Sequence, residues 1–567
     1  MANRTLNSTE AMIVRLAVGA IFGFICGWLG KMLDVAHHMP DGWIHVVIST
    51  LMLGAFILWA GAGTMRRLSL VAWGVIALGV IALIAWNHDQ HKLTTDYNPI
   101  FFDDHFLIYP FLFIAHELVS SADMAGKPVA PYGLYFDQAW KRGVQLALAV
   151  LFTVLFWAIL WLGATLLGFI GFGWLKELLQ NDYFIGPVIG MALGAAVQLG
   201  DVQAKLLGYV RALVLGVLSW LLPVIAVIGV IFAASLCFSG LKPLWDTRAA
   251  TVTLLAACVA LVLLINAAYQ QGNEERPVHI VLRWAVRLAA LLLLVFSNLA
   301  AYSLYLRIAQ YGLTPERTLA LAGVVIAVLY GIGYAIAAVL PGRWFRLAEP
   351  VNIAMAAVLV VVFGAMLTPL AEPARVSVTS QVSRLQAGQV TVEKFDWKML
   401  RFETGNYGST ALDSLIKGGK TKAIRDAAIK AKALTDEDRY DVAPLIPEEG
   451  QPDIKHITVV APKDGALPAD FLAGRYKEFG NAPATPSMVY VAMVDLNRDG
   501  APEILVLDNS VIWVYGKVDG AWRNIDTLYP DGDGVTAFQQ GKVSAAPPEW
   551  DDLKIGDSRE AVREVTH

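Results

Sequence analysis

MIVRLAVGAIFGFICGWLGKM (Met12–Met32) and IHVVISTLMLGAFILWAGAGT (Ile44–Thr64) decide the fold class of this chain. Each run is about 20 residues, enough for an α-helix to cross a hydrocarbon layer of ~30 Å. In such a layer only helices and closed barrels satisfy their own backbone polar groups. Similar runs recur near 69–86, 143–170, 184–200, 212–238, 249–269, 285–306, 318–340 and 351–370, which makes ten. The chain therefore reads as a polytopic α-helical membrane protein whose immediate partner is a lipid bilayer. The first run is of spanning length and others follow it, so it reads as a span and not as a cleaved leader.

Charge divides the chain. Residues 1–374 carry 40 of the charged side chains, and residues 375–567 carry 52, of which 23 are basic and 29 acidic. The average of 56% hydrophobic residues hides this shift, which marks a domain boundary. Residues 1–374 have the composition of a transmembrane helix bundle, and 375–567 that of a soluble domain able to bury its own core. A net charge of −4 offers nothing to attract nucleic acid. Cys26, Cys237 and Cys258 all lie in apolar runs and follow no metal or redox spacing, so they read as small buried residues.

An eleventh segment, DHFLIYPFLFIAHELV (Asp104–Val119), has polar ends and an internal proline. Loop charge decides its status, because short cytoplasmic loops are enriched in Lys and Arg. If it spans, with the N-terminus inside, twelve basic residues fall inside: Arg4, Arg66, Arg67, Lys127, Lys141, Arg142, Lys205, Arg211, Arg276, Arg283, Arg343 and Arg346. Seven then fall outside: Lys31, Lys92, Lys176, Lys242, Arg248, Arg307 and Arg317. If it does not span, the later loops flip and the split becomes eight against eleven. The eleven-span arrangement is preferred. It puts the N-terminus in the cytoplasm and residues 375–567 on the far side.

Small residues recur at every fourth position in two spans: Gly19, Gly23 and Gly27 in one, Gly186, Gly190 and Gly194 in another. Such rows let backbones approach closely. Ordinary tight packing explains them, and a moving seam in a transporter is the sharper alternative.

The soluble part is expected to be α+β. Residues 375–440 read as helical, with a break at Gly418-Gly419 inside DSLIKGGKTKAIRDAAIKAKAL. A short strand is expected at His456–Val460 and a β-rich stretch over 485–530. There MVYVAMVDL alternates, and EILVLDNSVIWVYGKVDGAWRNI supplies two or three more strands with turns at Asp508-Asn509 and Asp519-Gly520. Between the first two strands lies DLNRDGAPE. Asp495, Asn497, Asp499 and Glu503 stand at positions 1, 3, 5 and 9, with Gly500 at position 6. Hard oxygen ligands at alternating positions suit Ca²⁺, and the glycine suits the sharp turn. The spacing resembles the calcium loops of FG-GAP propeller repeats. It departs from an EF-hand, since position 12 is Val506 and the flanks are strands. A tight hairpin using Asp, Asn and Gly as turn residues accounts for the same letters.

Six of the ten histidines, His37, His38, His45, His88, His91 and His105, fall on the outer side of the eleven-span arrangement, with Asp89, Asp103 and Asp104. His88, His91 and His105 are the candidate ligands for Zn²⁺ or Cu²⁺, His88 and His91 sharing a helical face. A water-facing loop is the plainer reading. Within the spans, His116, Glu117, Asn266, Gln270 and Asn298 are polar residues in an expensive place. No chain of carboxylates crosses the bilayer middle, and no nucleotide-binding or serine-hydrolase motif appears.

Three stretches resemble the DUF4153 family of bacterial inner-membrane proteins. They are LINAAYQQG (264–272), YSLYLRIAQYGLTPERTLAL (302–321) and QVSRLQAGQVTVEKFDWKMLRFETGNYG (381–408). The resemblance implies location and architecture over roughly residues 1–410 and no particular reaction. Physically, the Tyr-Gly-Leu-Thr-Pro-Glu-Arg segment is a turn between spans. Thr314 is placed as N-cap, Pro315 opens the next helix, Glu316 sits at its positive end, and Arg317 pairs with Glu316 or reaches headgroups. The expected function is non-enzymatic: an envelope accessory or sensing protein whose periplasmic domain binds an ion or a protein partner. A secondary transporter and a membrane-embedded envelope enzyme are the alternatives.

Overall fold

The computed structural model describes residues 5–35, 42–91, 106–241, 244, 249–271, 278–340, 344–435, 438–439, 445–446, 457–463, 465–475, 489–508, 511–518, 520–546, 553–555 and 558–560. The chain divides into two compact units, one of residues 1–389 with 399–417 and one of residues 390–398 with 418–567.

The first unit is a helix bundle. Its members are α1 (Ser8–Val35), α2 (Gly42–Gly61), α3 (Arg67–His91), α4 (Ile108–Ala125), α5 (Tyr132–Phe169), the short α6 (Trp174–Leu178), α7 (Asp182–Val202), α8 (Ala204–Ser239), α9 (Ala250–Tyr269), α10 (Ile280–Tyr311), α11 (Pro315–Val339) and α12 (Ala348–Met366). Ten of these are long and apolar enough to cross a membrane. Their outer surface is itself apolar. Leu151, Val154, Leu155, Ile159 and Leu162 line the exposed side of α5, and Leu213, Val217, Val224, Ile228 and Ile231 that of α8. A water-soluble bundle would carry polar residues there; a lipid-facing one needs none.

The remaining long helix, α4, is the debated eleventh segment, and it begins four residues later than the sequence reading placed it. Ile108 packs with Ile84 and Ala85 toward the end of α3. At its other end Asp123 accepts from the backbone amide of Arg66 at 2.8 Å and pairs with that guanidinium at 2.6 Å, just before α3 begins. Thus α4 runs antiparallel to α3 along its length, and its 18 residues rise about 27 Å at 1.5 Å each. Pro110 lies in the first turn, where its missing amide breaks no helical bond, so the proline does not interrupt the helix. Consecutive spans alternate direction. The start of α1 therefore shares one end of the bundle, here the near end, with the starts of α3, α5, α8, α10 and α12. After α12, α13 (Pro373–Gln386), a π-turn (Met399–Glu403) and α14 (Gly405–Gly418) complete this unit.

The second unit holds α15 (Lys422–Ala433), capped by Thr421, and a five-stranded sheet in the order β1 (Ile457–Ala461), β2 (Val489–Val494), β3 (Glu503–Asp508), β4 (Val511–Val518), β5 (Ala521–Leu528). β1 and β2 are parallel and the rest antiparallel. Alternation buries both faces. Val489, Val491, Ile504 and Val506 pack with Phe471 of α16 (Ala469–Arg475), while Ala492, Leu505, Leu507 and Val514 pack with Phe538 of α17 (Gly532–Gln539). Lys517 of β4 holds Asp470 of α16 at 2.7 Å, and that hydrogen bond keeps the carboxyl below its ordinary value. A separate hairpin pairs β6 (Leu553–Ile555) with β7 (Ser558–Glu560). Helices on both sides of a mainly antiparallel sheet make this an α+β unit.

Candidate functional site

The two glycine rows meet each other. A Cβ built on Gly19 would lie 2.2 Å from the carbonyl oxygen of Gly190, and one on Gly23 equally close to that of Gly186. On Gly27 it would meet Asp182, and on Gly194 the carbonyl of Arg15. α1 and α7 are therefore in backbone contact along an antiparallel seam. This contact carries Arg15, a cation inside the first apolar run, against the end of α7.

Arg15 is only 1% exposed. It pairs with Asp201 at 2.5 Å and donates to Gln198 Oε1 at 2.5 Å, to the Trp59 carbonyl at 3.0 Å and to the Ala62 carbonyl at 2.6 Å. Trp59 returns a bond to the Arg15 carbonyl at 3.0 Å, and Lys141 reaches the other oxygen of Asp201 at 2.9 Å. Gln198 also bonds to Ser8, and Gln145 donates to the Val197 carbonyl at 2.6 Å. A neighbouring pair joins α5 to α4: buried Arg142 lies 2.5 Å from buried Glu117 and also donates to the Ala60 carbonyl. Beside it, Trp73 donates to His116 Nδ1 at 3.1 Å, which leaves the hydrogen of a neutral imidazole on Nε2. Among the described residues, His116 Nε2 and the hydroxyls of Ser120 and Ser121 are buried without a hydrogen-bond partner.

The other half of the bundle carries its own polar knot. Asn266 accepts from Tyr132 at 3.2 Å and from Asn352 at 2.8 Å, and donates to Tyr334 at 2.7 Å; Tyr334 donates onward to Asn352 at 2.6 Å. Tyr269 donates to Glu349 at 2.8 Å. Four helices, α5, α9, α11 and α12, are tied here, again at the near end.

Sequence reasoning singled out His116, Glu117 and Asn266, and each is in one of these clusters. Gln270 instead caps α9 at a φ of 54°, and Asn298 is exposed and bonds back to its own helix at the Leu294 carbonyl. The reading missed Arg15, Asp201, Tyr334 and Asn352. It also counted Lys141 and Arg142 as loop charges, whereas both lie within α5. The available signal was an arginine inside an apolar run, which needs a buried acceptor.

At the far end, buried Glu372 accepts from Tyr407 at 2.8 Å and from Asn87 at 3.2 Å, joining α14 to the end of α3. Burial and the bond to that carboxylate push the Tyr407 hydroxyl above its ordinary value. His45 lies 3.4 Å from Asp89. His88 is near the end of α3; the His91 side chain and all of His105, with His37, His38, Asp103 and Asp104, lie outside the described residues. Among the described residues no group of three His, Cys, Asp or Glu gathers where one metal ion would be held.

The DLNRDGAPE segment is the connection between β2 and β3. Asp495 accepts from the amides of Asp499 at 3.2 Å and Gly500 at 3.0 Å, Asn497 from that of Asp499 at 2.8 Å, and Asp499 from that of Ala501 at 2.7 Å. Buried Glu503 accepts from the amide of Leu496 at 2.7 Å. Gly500 takes the left-handed conformation that position 6 was expected to need, with φ 89°. The four side chains fold over one turn and serve its own amides. Each carboxylate oxygen used this way keeps a second lone pair.

No protein-family model, no curated protein and no solved structure matches this chain.

Proposed function

We propose that this chain is a bacterial inner-membrane protein of the DUF4153 kind. In this reading an eleven-helix bundle is a fixed platform, and a periplasmic α+β domain binds an ion or a protein partner as an envelope accessory or sensing module. The observation that carries the reading is how the bundle uses its buried polar groups. Arg15, Asp201, Lys141, Arg142 and Glu117 are joined across helices at one end, as are Tyr132, Asn266, Tyr334 and Asn352. Side chains held this way stitch helices together, whereas a transporter needs polar groups along a route through the middle. That leaves recognition to the second unit. The excess of basic residues in the loops and helix ends assigned to the inside supports a cytoplasmic N-terminus.

Single cysteines introduced at Ser8 and at Thr527, in a background with the three native cysteines replaced, test the orientation. A membrane-impermeant maleimide added to cells with a permeabilised outer membrane is expected to label position 527 and to spare position 8. The reverse pattern would overturn the topology. Calcium titration of the full-length protein by calorimetry tests the ion. Saturable binding at micromolar to millimolar Ca²⁺, lost in Asp495→Ala/Asp499→Ala, is the expected result. Heat indistinguishable from that of the double variant would reduce the loop to a turn and leave a protein partner as the domain's ligand.

A further inference from the structure

The turn closing α10 onto α11 gathers more positive charge than it balances. Gly312, at φ 75°, opens the way: a Cβ there would lie 2.7 Å from Arg384 Cδ and 2.9 Å from Gln381 Nε2. Through this gap α13 grips the turn. Gln381 donates to the carbonyls of Tyr311 at 2.9 Å and Leu313 at 2.8 Å, and Arg384 Nη2 donates to that of Gln310 at 3.0 Å. Arg317, from the first turn of α11, donates through Nη1 to the Gly312 carbonyl at 2.9 Å and lies over the Tyr311 ring. It does not take the pairing with Glu316 that the sequence suggested. Glu316 accepts instead from Thr314 Oγ1 at 2.7 Å. Arg307, one turn before Tyr311 on α10, lies with Arg384 within electrostatic reach of Arg317.

Guanidinium groups from three helices thus meet at this turn, and among the described residues Glu316 is the carboxylate that acts on Arg317. The hydrogen bonds of Arg317 and Arg384 go to neutral carbonyls. Arg384 Nε is buried with no hydrogen-bond partner among the described residues. Like charges brought together repel, and more strongly where water is partly excluded. Guanidinium groups present planar forks that match phosphate oxygens. The backbone bonds fix Arg317 and Arg384 in place while leaving donors over.

We propose that Arg307, Arg317 and Arg384 form a binding site for a phosphate group, carried by inorganic phosphate or by an anionic phospholipid headgroup. The site goes beyond the platform reading and does not depend on the second unit. The test uses full-length protein in uncharged detergent, heated in the presence of inorganic phosphate, of short-chain phosphatidylglycerol, or of chloride at matched ionic strength. Saturable stabilisation by at least one phosphate compound over chloride is expected. Phosphate acting alone assigns the free anion, and phosphatidylglycerol acting alone assigns the headgroup. Arg307→Gln is expected to weaken binding at least tenfold while leaving the ligand-free protein no less stable. Arg384→Gln is expected to lose binding too, and Arg384→Lys to lose part of it. Stabilisation by neither compound, or binding by Arg307→Gln equal to that of the parent, would overturn the proposal.

Discussion

Gly190→Leu is expected to prevent the bundle from assembling. Its Cβ would stand 2.2 Å from the Gly19 carbonyl oxygen and 2.7 Å from its carbon, and neither is a side chain that can turn aside. α1 and α7 would have to separate by more than an ångström along the whole row, because Gly23 meets Gly186 one turn on with the same clearance. Overpacking of a core usually costs about 1–3 kcal/mol, where neighbouring side chains can give. Here the obstacle is backbone, and the separation would also pull Arg15 away from Asp201. Alanine at position 190 already requires a shift, so it should lower the unfolding temperature measurably, and leucine should abolish monodisperse protein in detergent. Gly79→Leu is the control. Gly79 has no atom within 4 Å of its built Cβ and faces outward on α3, so leucine there should purify as the parent does. Equal behaviour of Gly190→Leu and Gly79→Leu would mean that the seam is not as described.

Such contacts explain what was legible in the sequence. Hydropathy marks a helix that must lie in lipid whatever its neighbours are, so the long apolar helices could be read one by one. α4 was the hardest because it carries His116, Glu117 and Asp123 on faces turned to other helices, which lowers its hydropathy without making it less a part of the bundle. Strand alternation announced β2 through β5, and the turn residues around Asp508 and Gly520 separated them. The pairing of glycine rows five spans apart could not be read, because nothing in either row names its partner. The same holds for Arg15 and Asp201, separated by 186 positions. A cation within an apolar run says that an acceptor exists, and only three-dimensional packing says which. Asn352 and Tyr334 were invisible for a further reason: single polar residues near span ends look like interface residues until four of them converge.

Removing Asp201 should be the most damaging charge change in the bundle. Asp201→Ala strands Arg15, which is 1% exposed, and takes the partner from Lys141. Loss of one member of a buried ion pair costs about 3–5 kcal/mol, because the remaining charge stays desolvated. Arg15 keeps Gln198 and the carbonyls of Trp59 and Ala62, which places the expected loss near the lower bound. Lys141 is partly exposed and can swing its ammonium toward the headgroups, so it adds little. The decisive comparison is the double variant Arg15→Met/Asp201→Ala. With both charges gone, the penalty of an unpaired cation disappears, and the double variant should be more stable than Asp201→Ala alone. Unfolding of the purified protein in detergent, followed by tryptophan fluorescence, reads the stabilities; Trp59, bonded to the Arg15 carbonyl, is one of its 17 reporters. If the double variant were less stable than Asp201→Ala by the full cost of Arg15→Met, the two residues would be acting independently. The polar network would then be a set of separate helix anchors, not one connected joint between α1, α5 and α7.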